Sequence, residues 1–393
     1  MITVGKTPYQ PSDVDYDESR LNVLNNHFME QMDKHVIRAA VYCLSREGKV
    51  FSSAAIGKQS YKHADERPLL PDSIHKIASI TKLVTATAVM TLVEDGKLRL
   101  SQRIAEFLPE LEPFYPINTV CVSHLMTHTG GFAVDPGALP DNGKPSAFEL
   151  ISKEVTSGGK EWVKALAKCD FRFAPGTQWA YSSVGFMLLG EIISRVSGVF
   201  AEKYITDRIL VPCGMKDSFF GIPSAEQLDR IAVNSEKTEK LFEEMRSGTL
   251  PPSPWAGIPE TGGGLCSTAP DLVRFGNMLC NGGYAEGGRV IGRKAIEKMT
   301  TSYLPETVLD HCWQGKKSKG LFRAYGLGPD MRHTDDFIYS EGTFFHEGAG
   351  RCSLIVDPVE KLVAAYIVPY VDHDLWDAVP LWNTSSIIWS GLK

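Results

Sequence analysis

Ser73-Ile74-His75-Lys76-Ile77-Ala78-Ser79-Ile80-Thr81-Lys82-Leu83-Val84-Thr85-Ala86-Thr87-Ala88-Val89-Met90-Thr91-Leu92-Val93-Glu94-Asp95-Gly96 is the stretch around which the chain is organised. After Lys82 the residues are apolar or small on nearly every side, so the pattern is that of a helix buried all round rather than an amphipathic surface helix. Glu94-Asp95-Gly96 breaks it, and Gly96 is placed to cap the C-terminus. Ser79 and Lys82 stand in the order Ser-x-x-Lys. Three residues span about one helical turn, so both side chains project from one face. A serine and a lysine on the first turn of a buried helix suit nucleophilic catalysis. Burial favours a neutral amine, which can take the hydroxyl proton, and the helix N-terminus favours developing negative charge.

The 393 residues have room for two or three domains, or for one large fold with an insertion. Hydrophobic content of 43% and charged content of 22% are those of a globular chain. A net charge of −6 without long runs of one sign argues against a nucleic-acid surface. The first residues, Met1 to Pro8, are polar and show no secretory signal, and no apolar run reaches the length of a membrane span. Eight cysteines stand far apart without a Cys-x-x-Cys pair. They read as free thiols, most of them buried, in a reducing compartment, so a cytoplasmic location is expected.

Leu21, Leu24, Phe28 and Met32 mark an amphipathic helix over residues 17–35. Residues 39–44 and 50–57 around a turn at 46–49 read as a β-hairpin, followed by a polar loop to 72. Ser123 is a candidate N-cap for a segment ending at Gly130-Gly131, and 133–146 has the composition of an exposed loop. Helices are expected at 147–168, 183–199, 201–212, 271–279 and 293–300, with 236–256 a loop over a pocket. Strands return at 322–327, 343–346, 352–356 and 362–368, and a last helix runs over 374–391. The resulting class is α+β. First and last strands share one antiparallel sheet flanked by the terminal helices, and a mostly helical middle lobe places the Ser79 helix at the junction.

Four further stretches complete the pattern: His124-Leu125-Met126-Thr127-His128-Thr129-Gly130-Gly131, Pro175-Gly176-Thr177-Gln178-Trp179-Ala180-Tyr181-Ser182-Ser183, Gly262-Gly263-Gly264-Leu265-Cys266-Ser267-Thr268, and His346-Glu347-Gly348. With Ser79-x-x-Lys82 they occur in the order found in the serine β-lactamase and penicillin-binding-protein superfamily. The chain resembles the branch of class C β-lactamases, D-amino-acid peptidases and esterases over about residues 20–370. The resemblance implies one catalytic unit over 1–393, with an α/β lobe from 16–75 and 320–393 and a helical lobe from 76–319.

It further implies that Ser79 is the nucleophile, that Lys82 and Tyr181 share the proton transfers, and that backbone N–H groups of Ser79 and of the strand near Ala349 form an oxyanion hole. His346 completes the catalytic set, while Ser183, Gly348, Ala349 and Trp255 would contact substrate. Two departures bear on specificity. The usual Tyr-x-Asn is Tyr181-Ser182-Ser183, and a serine lacks the paired donor and acceptor of an amide. The usual Lys-Thr-Gly is His346-Glu347-Gly348, so a fixed positive charge gives way to a histidine beside a carboxylate. A small neutral ester or amide is therefore the expected substrate, ahead of acyl transfer on the same site, D-peptidase or weak β-lactamase activity, or a non-catalytic binding role. No cofactor is implied. His124 and His128 lack the third ligand of a zinc site. The glycine run lacks the Lys-Ser/Thr of a phosphate loop, and no Gly-x-Ser-x-Gly elbow is present.

Overall fold

The computed structural model describes residues 1–62, 64–132, 145–304, 324–331, 337–349, 352–369 and 381–393. Its frame is an antiparallel sheet of six strands: β1 (Ile2–Val4), β2 (Ala39–Arg46), β3 (Lys49–Gly57), β4 (Phe344–Gly348), β5 (Cys352–Asp357) and β6 (Leu362–Ile367). The spatial order is β1-β3-β2-β6-β5-β4, so the hairpin from the first residues pairs directly with the last strand. Five helices matter for the site: α1 (Ser19–Asp33), α2 (Thr81–Glu94), α3 (Ser183–Ser197), α4 (Ala269–Cys280) and α5 (Leu381–Trp389). The class is α+β, as the residue pattern implies.

Both faces of the sheet are covered, which is why its strands read as nearly unbroken apolar runs. Ala40, Tyr42, Leu44, Ile56, Ile355 and Tyr366 face the layer of α1 and α5. Alternate residues Val41, Cys43, Leu354, Val363 and Ala365 face α4 and the core beyond it. Such alternation pins the register, since a slip of one residue would exchange the two faces. A Cβ on Gly276 of α4 would stand 2.4 Å from Val363 Cγ1, so only glycine lets this helix lie so close to β6.

Helix α2 is buried from Thr81 through Leu92. Its threonines are tolerated because each hydroxyl finds an oxygen. Thr87 and Thr91 donate to carbonyls of Leu83 and Ala88 one turn back, and Thr85 donates to Thr261 O at 2.8 Å. Gly96 (φ +67°) ends the helix as the sequence predicts. Its N–H reaches Val93 O and that of Lys97 reaches Leu92 O, the paired bonds of a Schellman cap.

Several expectations are corrected. Residues 236–247 form a helix rather than a loop, capped by Ser235, with Phe242 and Met245 packed near Ile74, Leu228 and Ile231. The helix expected over 147–168 breaks at Ser157-Gly158-Gly159 into Ala147–Thr156 and Trp162–Ala165. The short helix near 123 begins at Val122, with Cys121 rather than Ser123 at the N-cap. Strand β1 has no counterpart in the sequence reading. Seven cysteines fall among the described residues as free thiols, but only Cys43, Cys213 and Cys352 are buried. Residues 324–327, the described part of the strand expected at 322–327, form no strand but only an isolated bridge from Tyr325 to Asp330. Most of the loop at 133–146, residues 322 and 323, Cys312 and the beginning of the last helix lie outside the described residues.

His75 pairs through its backbone with Ser267 and is 2% exposed. Burial pushes its imidazole from 6.5 down to about 3. The unfolded chain therefore binds the extra proton first, so this contribution is complete above about pH 6.5 and is lost as pH falls. Between about pH 6.5 and 4.5 the wild type should lose up to about 1.4 kcal/mol per pH unit from this group. His75→Leu should show a correspondingly shallower fall of the urea midpoint; parallel slopes would remove His75 from the account.

Candidate active site

Ser79 lies in one 3-10 turn, Ala78–Ile80, that feeds directly into α2. The preceding Ala78 has φ +46°, a left-handed conformation unfavourable for a residue with a Cβ. Neighbours hold it there. Thr81 Oγ1 donates to Ala78 O at 2.6 Å and accepts from Leu265 N at 3.2 Å, while Ile77 N donates to Leu265 O at 3.0 Å. The turn carrying the serine is thus stitched to the segment that follows the glycine run.

Lys82 is fully buried. Its Nζ stands 3.1 Å from Ser79 Oγ, 3.1 Å from Ser183 Oγ and 2.6 Å from Gly262 O. These oxygens match the three donors of an ammonium. As a neutral amine the group keeps two N–H bonds and has a lone pair to turn towards a hydroxyl. The Gly262 carbonyl only accepts, so that lone pair can face Ser79 or Ser183. Ser183 opens α3, where Ser182 Oγ accepts from Gly185 N at 3.2 Å as N-cap. Nζ also lies 4.7 Å from the centre of the Tyr181 ring.

Tyr181 is set by His128, which the sequence reading weighs only as a zinc ligand. The His128 carbonyl accepts from Ala180 N at 2.9 Å, and its Nδ1 accepts from Ser182 N at 3.1 Å, so one histidine brackets the tyrosine on both sides. The two rings lie 4.4 Å apart. His128 Nε2 is 3.2 Å from Tyr325 Oη, which is 3.2 Å from His346 Nε2, and His346 Nδ1 is 2.7 Å from Glu347 O. His346 therefore has a protein partner on each nitrogen, with its ring 6.4 Å from that of Tyr181. His124 does a different task, since its Nδ1 accepts from Cys121 N at the start of the short helix. No group of three metal-ligating side chains occurs among the described residues.

The end of β4 completes the wall. A Cβ on Gly348 would lie 2.2 Å from Ile77 O and 2.4 Å from Cys352 Sγ, so glycine lets the strand approach the Ser79 turn. Ala349, just beyond, is exposed. Cys352 donates its thiol to Ile77 O at 3.1 Å, and burial pushes that thiol up to about 12. The Trp255 ring stacks on Phe148, with 5.3 Å between ring centres. Ser79, Lys82, Tyr181 and Ser183 are brought together; His346 and Gly348 form the adjoining wall. Tyr325 and the Gly262 carbonyl went unread, because a lone tyrosine and a backbone oxygen leave no spacing signal.

A buried amine 3.1 Å from a serine hydroxyl is the pairing that activation of a serine nucleophile requires. The chain belongs to the beta-lactamase family, whose model matches residues 24–371, and that family comprises serine hydrolases. An uncharacterized protein of Mycobacterium tuberculosis is 28% identical over 367 residues, covering 87% of this chain and 88% of that protein. Esterase EstB of Burkholderia gladioli is 28% identical over 294 residues, 72% of this chain and 71% of the esterase. Among solved structures, a penicillin-binding protein homolog from Caulobacter crescentus shares the fold with a TM-score of 0.73 at 20% identity, covering 100% of both chains.

Gly262 tests the lysine's setting. A Cβ there would stand 2.9 Å from Ser183 O, a backbone atom that cannot swing aside. Gly262→Ala should shift the carbonyl off Lys82, costing about 1–3 kcal/mol of stability. It should also slow labelling of Ser79 by a fluorophosphonate by roughly tenfold or more. Unchanged labelling kinetics would show that this carbonyl does not set the amine.

Proposed function

We propose that the protein is a carboxylesterase-like hydrolase that cleaves a small neutral ester, or an amide, through an acyl-Ser79 intermediate. The observation that carries the reading is Lys82 Nζ at 3.1 Å from Ser79 Oγ while its 2.6 Å bond to Gly262 O holds the amine in place. In acylation, Ser79 Oγ attacks the carbonyl carbon as its proton passes to Lys82 or, through it, to Tyr181. The tetrahedral oxyanion collapses, the C–O bond to the leaving group breaks, and the proton returns to the departing alcohol. Water then repeats the sequence on the acyl-serine.

Oxyanion donors follow from strand parity. Phe345 exchanges both backbone bonds with Asp330 on the side of β4 away from β5. Alternation extended past the strand turns the N–H of Ala349 to that same open side, where it joins the N–H of Ser79; each such donor is worth about 3 kcal/mol. Preference for an uncharged substrate is supported by His346, whose nitrogens meet a hydroxyl and a carbonyl, and by the Glu347 carboxylate next to it. The likeness to an esterase points the same way.

Mixing with p-nitrophenyl butyrate should release nitrophenol and leave a transient butyryl adduct in the intact mass of the wild type. Ser79→Ala should lower the rate by at least about 10³-fold and carry no adduct. Added alcohols should leave product partition unchanged for a hydrolase and divert it to new esters for an acyltransferase. Equal behaviour of wild type and Ser79→Ala would overturn Ser79 as nucleophile.

A further inference from the structure

Thr81 stands between Ser79 and Lys82 and is fully buried. Its hydroxyl donates to Ala78 O at 2.6 Å and accepts from Leu265 N at 3.2 Å. The Ala78 carbonyl belongs to the same peptide unit as the Ser79 N–H. Tyr115-Pro116 is the one cis bond among the described residues, so this unit is trans. A trans peptide is planar, and its C=O and N–H point in opposite directions. Wherever Thr81 draws the carbonyl, the Ser79 N–H is sent the other way, out of the start of α2.

The hydroxyl adds an anchor from outside the helix. Thr81 N also donates to Ala78 O, but that bond travels with α2. Through the hydroxyl the same carbonyl is tied to Leu265, whose own carbonyl accepts from Ile77 N at 3.0 Å. Leu265 thus holds the turn with both of its backbone groups, one directly at Ile77 and one by way of Thr81. It lies three residues beyond Gly262, whose carbonyl takes Lys82 at 2.6 Å, and Thr85 Oγ1 holds the Thr261 carbonyl at 2.8 Å. One segment, 261–265, therefore fixes both the amine and the peptide in front of the nucleophile. Ala78 needs such a hold, because φ +46° is unfavourable for a residue with a Cβ. A hydrogen bond received at a carbonyl also polarises its peptide, which makes the N–H at the other end a better donor.

We propose that Thr81 is a positioning residue for the oxyanion donor: by holding the Ala78 carbonyl it aims the Ser79 N–H at the oxygen of the tetrahedral intermediate. The proposal rests on the reading of an acyl-Ser79 intermediate. Thr81 acts through a peptide and not on the substrate, so its loss falls on the transition state rather than on ground-state binding. A threonine that only satisfies its own hydroxyl inside a helix would leave the reaction alone. Thr87 supplies that comparison in α2 itself: it is fully buried, and its hydroxyl donates to Leu83 O at 2.9 Å.

Thr81→Val replaces the hydroxyl by a methyl, and Thr81→Ser keeps it. The substrates are p-nitrophenyl butyrate and its thionoester, whose C=S sulfur is a weak acceptor and gains little from an aimed N–H. In Thr81→Val, kcat for the ester should fall about tenfold or more, part of the roughly 10²–10³ that removal of a whole donor costs, with KM within about twofold. The ratio of kcat/KM for ester over thionoester should fall by a similar factor, because the thionoester has less to lose. Thr81→Ser should recover both readouts to within about threefold of the wild type. Thr87→Val should lower the thermal midpoint with neither kinetic change. If Thr81→Val does not fold, Thr81→Ala takes its place with the same expectations. A folded variant without the hydroxyl that keeps the wild-type kcat, an unchanged ratio beside a lowered kcat, or no recovery in Thr81→Ser overturns the proposal. If the wild type cleaves neither ester, the esterase reading fails, and labelling of Ser79 by a fluorophosphonate decides the role of Thr81. The phosphoryl oxygen meets the same donor, so Thr81→Val should label about tenfold more slowly. Equal rates, or no labelling of the wild type, overturn the proposal.

Discussion

Everything near the site answers to one demand, that of an amine taken wholly out of water. Stripping an ammonium of its hydration costs several kcal/mol unless protein oxygens replace the lost contacts. Lys82 obtains three, from a turn at the mouth of its own helix, from the start of α3 and from the Gly262 carbonyl. Those partners are 3, 101 and 180 residues away along the chain. Meeting the demand therefore draws α2, α3 and the 261–264 segment together. The small residues follow from it. Gly190 lets α3 accept Thr261 and Pro259 at its surface, and Gly262 passes beneath the Ser183 carbonyl.

The second constraint is the orientation of Tyr181, and His128 supplies it with both its backbone and its ring. The left-handed backbone of His128 (φ +57°) turns the carbonyl and the imidazole towards one loop. Strain accepted at His128 and at Ala78 flanks Tyr181 and Ser79, and in each case hydrogen bonds from neighbouring segments hold the unfavourable conformation. The helical part thus presents a rigid face. The sheet contributes the end of β4, brought close because Gly348 has no side chain to keep it from Ile77.

How much of this could be read in the chain depended on where the information resides. Helix α2 was legible because fourteen residues carry its pattern and Gly96 marks its end. The β2–β3 hairpin was legible from two apolar runs around a turn, and the sharing of one sheet by first and last strands from the placement of elements. Short motifs, read through resemblance, located Ser79, Lys82 and Tyr181. The helix at 236–247 was hidden because only Leu241, Phe242 and Met245 in it are apolar, too little for an apolar stripe. Three-residue β1 is shorter than any periodicity, and its fit comes from pairing with Ile56, Ala55 and Ala54. Tyr325 was invisible for a different reason: its meaning comes from two histidines that the fold brings to it, 197 and 21 residues away.

The order of strands has a consequence for the growing chain. Strand β2 and its hairpin partner are complete once residue 57 has been made, but the neighbour that covers the other edge of β2 is β6, which begins at Leu362. At about 5–20 residues per second, a ribosome needs on the order of tens of seconds to bridge that gap. Throughout it, the strand Ala39-Ala40-Val41-Tyr42-Cys43-Leu44 presents unpaired N–H and C=O groups along an apolar edge, the kind of surface that recruits other strands. Shielding of that waiting edge is thus a demand that synthesis adds to those of the finished fold.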